Sequence, residues 1–338
     1  MYNAIDETAD AAAHRTDLPF AMLALLPTDI AALAPPTVVV ATATGRVGSH
    51  VVSELQRKDC RVRAICRDVS KLPEELRAEA IQADLTQSQS SLRAAFAEAG
   101  LEHGWRLFMA APAGKTMALM EKNLMYAAID GGATYTVKLS TAEPVLRAAY
   151  RAKIGPAAAH LQVEAALKRA NIEWSVLRPT LFYQMLLDGR LGLADGWLAD
   201  GADSDAALPH VLGGCPIAMV DARDVAAAAA ALLATDDPSA WHRRTLDCTG
   251  PEAALIDSVP AALGATDRTV QALDDSQLDA YVKQAYPPAA FPTFRAYYEI
   301  LRRECATTTG HVEEACGIKP RSLEDFVRDS AEAFGGQR

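Results

Sequence analysis

His160 and Glu164 stand four residues apart in HLQVEAALKRANIEW (160–174), a run with a helical pattern. One helical turn places both side chains on one face. An imidazole titrates near neutrality and can give up a proton at physiological pH, and a neighbouring carboxylate favours its charged form. The pair reads as a general acid with its supporting carboxylate. Lys138 and Ser140 close the apolar run TYTVKL (134–139) and reach the same region if the two elements are neighbours. Lys138 would stabilise developing negative charge. Plainer roles compete: His160 caps or packs, Glu164 is a solvated helix residue, and Lys138 is a surface lysine at a strand end.

A second stretch, VVVATATGRVGSH (38–50), runs from a buried strand through glycines into a helix. A helix start that receives a pyrophosphate needs a sharp turn, backbone amides close to the phosphates, and tight helix–strand packing. Glycine serves all three because it lacks a Cβ. Gly45 and Gly48 occupy the second and third glycine positions, and Thr42 stands at the first. Thr42, Thr44, Gly45, Arg46, Val47 and Gly48 are the candidate cradle. Threonine fits such a turn if its φ is negative and fits poorly if φ is positive. The competing reading is a tight turn without a ligand. The second strand ends at Cys66-Arg67-Asp68, where dinucleotide sites place an acid on the ribose 2′-hydroxyl or a base on the 2′-phosphate. Arg67 comes first, and Arg46 is a second basic candidate, so NADP(H) is expected over NAD(H). A solvated surface arginine is the alternative at either position.

The elements that must hold these residues follow from alternation. Short apolar runs at 38–43, 61–66, 80–83, 106–110, 134–139, 173–177, 217–220 and 244–248 read as strands. Helical patterns lie between most of them; Val47, Val51, Val52 and Leu55 share one face, as do Met117, Met120, Leu124 and Ala128. Strands alternating with helices imply a parallel sheet covered on both sides. The expected fold class is α/β, a Rossmann-like doubly wound parallel sheet with a smaller, mostly helical C-terminal substrate-binding region. Residues 1–36 read as an N-terminal arm ending at Pro35-Pro36. Residues 37–180 read as the nucleotide-binding domain, with strands returning at 216–250. Residues 181–215 and 251–338 read as the substrate-binding region.

The 338 residues carry a net charge of -10 and no basic run, which argues against a nucleic-acid or anionic-membrane surface. Six cysteines include no CxxC, so free thiols in a reducing, cytoplasmic setting are expected. LPFAMLALL (18–26) is too short to span a bilayer and lacks a basic flank, so the arm is expected to pack on the body, on a second copy as a homodimer, or on a protein partner. No HExxH and no GxSxG occur, and no metal is expected.

In order and spacing, the chain from about residue 37 to the C-terminus resembles an atypical short-chain dehydrogenase/reductase of the NmrA-like group. The resemblance rests on VVVATATGRVGSHVV, RVRAICRD, ADL (83–85), TVKLST (136–141), HLQVEAALKRANIEWSVLRPTLF (160–182), MVDARDVA (219–226) and EEACGIKPRSLEDFVRDSAEAF (313–334). It implies that Asp84 and Leu85 flank an adenine, that Ala110, Ala111 and Pro112 run beside the nicotinamide ribose, and that Pro179 borders the nicotinamide. Lys138 would bind the ribose. Asp221 and Asp224 would tie loops to helix starts. The Tyr-x-x-x-Lys pair usual in short-chain reductases is absent, and His160-x-x-x-Glu164 stands in its place along the chain. Ether-reductase relatives carry a catalytic lysine near the His160 position. The implied activity is NADPH-dependent reduction of a C=O, C=N or conjugated C=C group in a small apolar substrate. Phe182, Tyr183, Met185, Leu186, Trp197 and Tyr297 would line the pocket, with Phe291, Phe294 and Tyr298 as a wall or lid. Two other outcomes fit the same fold: an NADP(H)-sensing regulator that binds a protein and turns nothing over, and a redox-neutral cyclase or isomerase.

Overall fold

The computed structural model describes residues 35–152, 155–188, 208–263 and 269–334. The N-terminal arm (1–34) and Trp197 therefore lie outside the described residues. Seven strands form one sheet: β1 (Thr37–Ala41), β2 (Arg61–Cys66), β3 (Ile81–Gln82), β4 (Trp105–Met109), β5 (Ala133–Leu139), β6 (Glu173–Pro179) and β8 (Arg244–Cys248). Their order is β3-β2-β1-β4-β5-β6-β8, and every pairing is parallel. The order reverses between β1 and β4, which opens a crevice beyond the carboxyl ends of the strands.

Side-chain alternation assigns each strand residue to one of two layers. Val38 and Val40 of β1 and Tyr135 and Val137 of β5 pack on α1 (Gly48–Arg57) and α7 (Ala222–Ala234). Val39 and Ala41, with Leu107 and Met109 of β4, pack on α3 (Gln89–Glu98), α4 (Met117–Asp130) and α6 (Gly155–Leu167). Thr136 and Lys138 therefore face the α4/α6 layer. On β6, Trp174 and Val176 share that layer, and Arg178 continues the same face. This parity decides which polar groups meet at the strand ends.

A third apolar cluster joins α5 (Glu143–Ala152), α9 (Asp275–Ala285), α10 (Phe291–Glu304) and α12 (Leu323–Asp329). The helices α9 and α10 are separated at Pro287-Pro288, where proline resists a helix interior. Residues 217–220 are a correction to the expected strand. They make only isolated bridges, Ile217 to Ala254 and Phe182 to Val220, because this segment crosses between layers rather than joining the sheet edge. A short two-stranded parallel sheet of β7 (Leu208–His210) and β9 (Val270–Ala272) was not anticipated; three-residue strands carry too little alternation to be read. Asp221 caps the start of α7 by accepting from the Arg223 amide at 2.8 Å, and Asp224 accepts from the Arg321 amide at 2.7 Å, which ties the C-terminal segment down. Among the described residues no helix is long and apolar enough to cross a membrane.

Candidate active site

At the turn from β1 into α1, Thr42 adopts φ +55, in the left-handed region. This answers the condition set by its sequence position unfavourably, because a β-branched residue is strained there. Its hydroxyl donates to the Ala41 carbonyl at 2.7 Å, and its own carbonyl accepts from the Gly45 amide at 2.7 Å. A Cβ at Gly48 would lie 2.1 Å from the Thr42 carbonyl oxygen, and one at Gly45 would lie 3.0 Å from it. The turn thus requires glycine at 48 and tolerates threonine at 42 at a cost. Thr42→Gly relieves strain of about 2–3 kcal/mol. It forfeits about 1 kcal/mol for the hydroxyl bond and somewhat less for the greater freedom of the unfolded chain. The net expectation is a gain of about 1 kcal/mol by urea denaturation; a less stable variant would show that the hydroxyl bond outweighs the strain.

Beyond the turn lies a cleft of about 670 Å³ lined by Thr42, Thr44, Arg67, Asp84, Leu85 and Pro112, among others. The start of α1 has no side-chain cap and no acidic residue in its first turn, so its amides and positive dipole end are left for an anion. The exposed Arg67 guanidinium meets no acceptor among the described residues. Asp68, the neighbouring acid, is occupied: its carboxylate accepts from the Ser70 amide at 3.1 Å and hydroxyl at 2.6 Å, and those bonds hold it below the ordinary aspartate range. Asp84 closes a turn in the same way, accepting from the Thr86 amide at 2.9 Å and hydroxyl at 2.8 Å. Ala110 and Pro179 are buried at the ends of β4 and β6, and Ala111 and Pro112 continue from β4 toward the cleft. These residues fit a dinucleotide laid across the switch point.

Two expected contacts, those of Arg46 and Tyr183, are placed differently. Arg46 does not line the cleft; its guanidinium pairs with Asp188 at 2.6 Å and sits 5.9 Å over the Phe182 ring, held by a carboxylate and a π face. Tyr183 is fully buried and stacks on Phe326 at 5.3 Å, so it is a packing residue and not a pocket wall. Tyr297 is half-buried against Tyr298 at 5.7 Å, in the cluster that includes Phe291 and Phe294. Phe182 is half-buried beside Arg46.

The four proposed catalytic residues divide into two networks. Lys138 is fully buried, with its ammonium donating to Glu121 Oε2 at 2.7 Å and the Leu139 carbonyl at 2.8 Å, and lying 3.3 Å from His160 Nδ1. All three of its donors have partners within the protein, which leaves none for the expected ribose contact. Glu164 does not support His160. It accepts from Ser140 at 2.7 Å and from Arg178 Nε at 3.1 Å and Nη2 at 2.6 Å, because Arg178 shares its face of the sheet. Burial pushes the Glu164 carboxyl up, but the bonds from Arg178 and Ser140 outweigh it and hold it below the ordinary glutamate range. Burial, and then the Lys138 charge, push His160 well below the ordinary histidine range. The expectation of a charged imidazole is therefore overturned: its charged neighbour is an ammonium. Of the four, only His160 keeps a polar atom, Nε2, without a partner among the described residues.

Glu121 is the residue that sequence reading missed. It sits on the buried stripe of α4 with Met117, Met120, Leu124 and Met125. A carboxylate inside an apolar helical stripe was the available signal. Among the described residues no group of three His, Cys, Asp or Glu side chains is placed to hold a metal ion.

Comparisons with known proteins agree with this geometry. The family model described as NAD(P)H-binding matches residues 42–236. A (4-alkanoyl-5-oxo-2,5-dihydrofuran-3-yl)methyl phosphate reductase of Streptomyces griseus subsp. griseus is 28% identical over 175 residues, which are 51% of this chain and 58% of that protein. The match thus spans little more than half of that relative. An NADPH-dependent quinone oxidoreductase from Escherichia coli, solved with NADPH, superposes with a TM-score of 0.69 at 19% identity, over 86% of this chain and 99% of that one. NmrA, a negative transcriptional regulator solved with NAD, superposes with a TM-score of 0.65 at 17% identity, over 90% and 99% of the two chains. With its glycine turn, switch-point cleft and matched span of 42–236, the chain belongs to the NAD(P)H-binding family.

Proposed function

We propose that the protein is an NADPH-dependent reductase of a small, largely apolar acceptor. The observation that carries this reading is the cleft at the switch point: the Thr42–Thr44 turn that leads into an uncapped helix start lines it, and Arg67 lies on its wall with no hydrogen-bond acceptor among the described residues. Gly45, Gly48 and the amides that follow them would hold the pyrophosphate, Arg67 the 2′-phosphate, and Leu85 and Asp84 the adenine side. When bound, the reduced nicotinamide supplies the hydride.

The chain's own contribution is His160. As a neutral imidazole whose Nε2 has no partner among the described residues, it would donate a hydrogen bond where negative charge develops on an acceptor oxygen. Such a donor suits a carbonyl or the enolate oxygen left when a conjugated C=C is reduced. The name of the Streptomyces relative describes a 2,5-dihydrofuran ring whose double bond is conjugated with carbonyl groups, which supports the conjugated alkene over an imine. Phe182, Met185 and Tyr297 would supply an apolar wall.

Calorimetric titration with NADPH and NADH, followed by turnover on enone, quinone and imine acceptors, tests the reading. Binding of NADPH with oxidation by an enone is expected. Binding with no oxidation by any acceptor would favour a cofactor-sensing regulator instead. Arg67→Ala is expected to weaken NADPH by on the order of 10–100-fold and leave NADH unchanged, the value of a lost charge-assisted contact. Equal loss for both cofactors would remove Arg67 from the 2′-phosphate.

A further inference from the structure

We infer that the buried Glu121–Lys138 pair sets the tautomer of His160, making Glu121 and Lys138 positioning residues for a neutral Nε2–H donor. The inference rests on the reading of His160 as the group that faces the acceptor, and its geometry stands apart from the cofactor. An ammonium has three donors and no acceptor. Here two go to Glu121 Oε2 (2.7 Å) and the Leu139 carbonyl (2.8 Å), and the third is left for His160 Nδ1 at 3.3 Å. Nδ1 must then carry a lone pair, so the imidazole proton resides on Nε2. A neutral Lys138 would impose no such choice, since an amine accepts as well as donates. Glu121 is the counter-charge that the lysine meets, at 2.7 Å.

The pair is a poor device for stability alone. Glu121 is fully buried, and its Oε1 has no hydrogen-bond partner among the described residues. Burial pushes its carboxyl up against the opposing pull of Lys138. Buried ion pairs with incomplete hydrogen bonding are commonly replaced by apolar residues without loss of stability. What the pair provides is a fixed donor aimed at Nδ1. The neighbouring charges do not compete for this role: Glu164 is held by Arg178 and Ser140, with Lys168 at 3.7 Å.

The test is long-range proton–nitrogen NMR of the histidine rings in the full chain at pH 7.5, without cofactor or substrate. His160 is assigned by its loss in His160→Phe. A single Nε2–H tautomer is expected in the wild type. In Glu121→Gln the lysine loses its counter-charge, both tautomers are expected, and kcat falls about 10-fold with the NADPH affinity unchanged. If Glu121→Gln does not fold, the double variant Glu121→Gln/Lys138→Met removes both charges at similar volume. It is expected to keep the wild-type denaturation midpoint and to show mixed tautomers. An imidazolium or an Nδ1–H tautomer in the wild type would overturn the inference, as would unchanged selection in either variant. Because the ring signals need no turnover, an intact tautomer in a chain that reduces nothing would count against the reductase reading and leave the tautomer lock standing.

Discussion

Gly48→Ala is expected to lower stability by about 3 kcal/mol and to reduce turnover by on the order of 100-fold, with NADPH binding weakened in parallel. The reason is geometric. The new Cβ would lie 2.1 Å from the Thr42 carbonyl oxygen and 2.8 Å from its carbon, both backbone atoms at the point where β1 turns into α1. No rotamer change relieves such an overlap, so either α1 or the turn must shift by about 1 Å, a displacement that costs roughly two orders of magnitude when it misplaces a reacting group. Gly45→Ala is the internal control. Its Cβ would meet the same oxygen at 3.0 Å, and its φ is not positive, so a few tenths of an ångström of relaxation accommodates it. The two substitutions are also coupled to Thr42. That residue's φ of +55 fixes the direction of the carbonyl, and glycine at 42 frees it to rotate. Thr42→Gly/Gly48→Ala is expected to recover part of the stability lost by Gly48→Ala alone, a non-additive result of the kind neighbours show. Equal effects of alanine at 45 and 48 in urea denaturation would refute the packing argument.

The same turn shows how far the sequence carries. The pattern of glycines placed the turn, and strand–helix alternation placed six of its sheet neighbours, because burial on both faces forces continuous apolar runs of the kind seen at 38–41 and 107–110. Residues 217–220 have the same composition and are not a strand, since hydrophobicity reports burial and not which partner supplies the hydrogen bonds. At the site, the residues were legible and their pairing was not. His160 and Glu164 are one helical turn apart, and that spacing suggested a pair. The outcome was decided by strand parity: Lys138 and Arg178 point into the same layer from adjacent strands, and each captures one of the two helix residues. Nothing local to 160–164 contains that information. Glu121 belongs to the same lesson. It is 17 residues from Lys138, and only the packing of α4 across β5 makes them partners.

His160→Phe is expected to lower kcat by on the order of 100-fold while leaving NADPH affinity unchanged, the usual value of removing one donor from a site where charge develops. Phenylalanine keeps the ring volume between α6 and β5, so a loss confined to kcat isolates the hydrogen bond from the packing. The pH profile supplies the sign. In the folded chain burial and the Lys138 ammonium hold His160 well below its ordinary value, so the neutral ring is the resident form across pH 6–8. If that neutral donor is the working form, wild-type kcat/KM is flat through this window, and any acid limb falls below it as protonation of the ring is forced beside Lys138. If an imidazolium were the proton source, the rate would instead decline as pH rises through about 6.5, the unperturbed histidine value. Stability follows the same linkage. The unfolded chain binds a proton at His160 below about pH 6.5 and the folded chain does not, so this residue makes the fold less stable as pH falls through that value. A declining kcat/KM between pH 6 and 8 that disappears in His160→Phe would return the residue to the role of a titrating acid. A flat profile with a kcat-only loss fixes it as a neutral donor whose proton is placed by its neighbours.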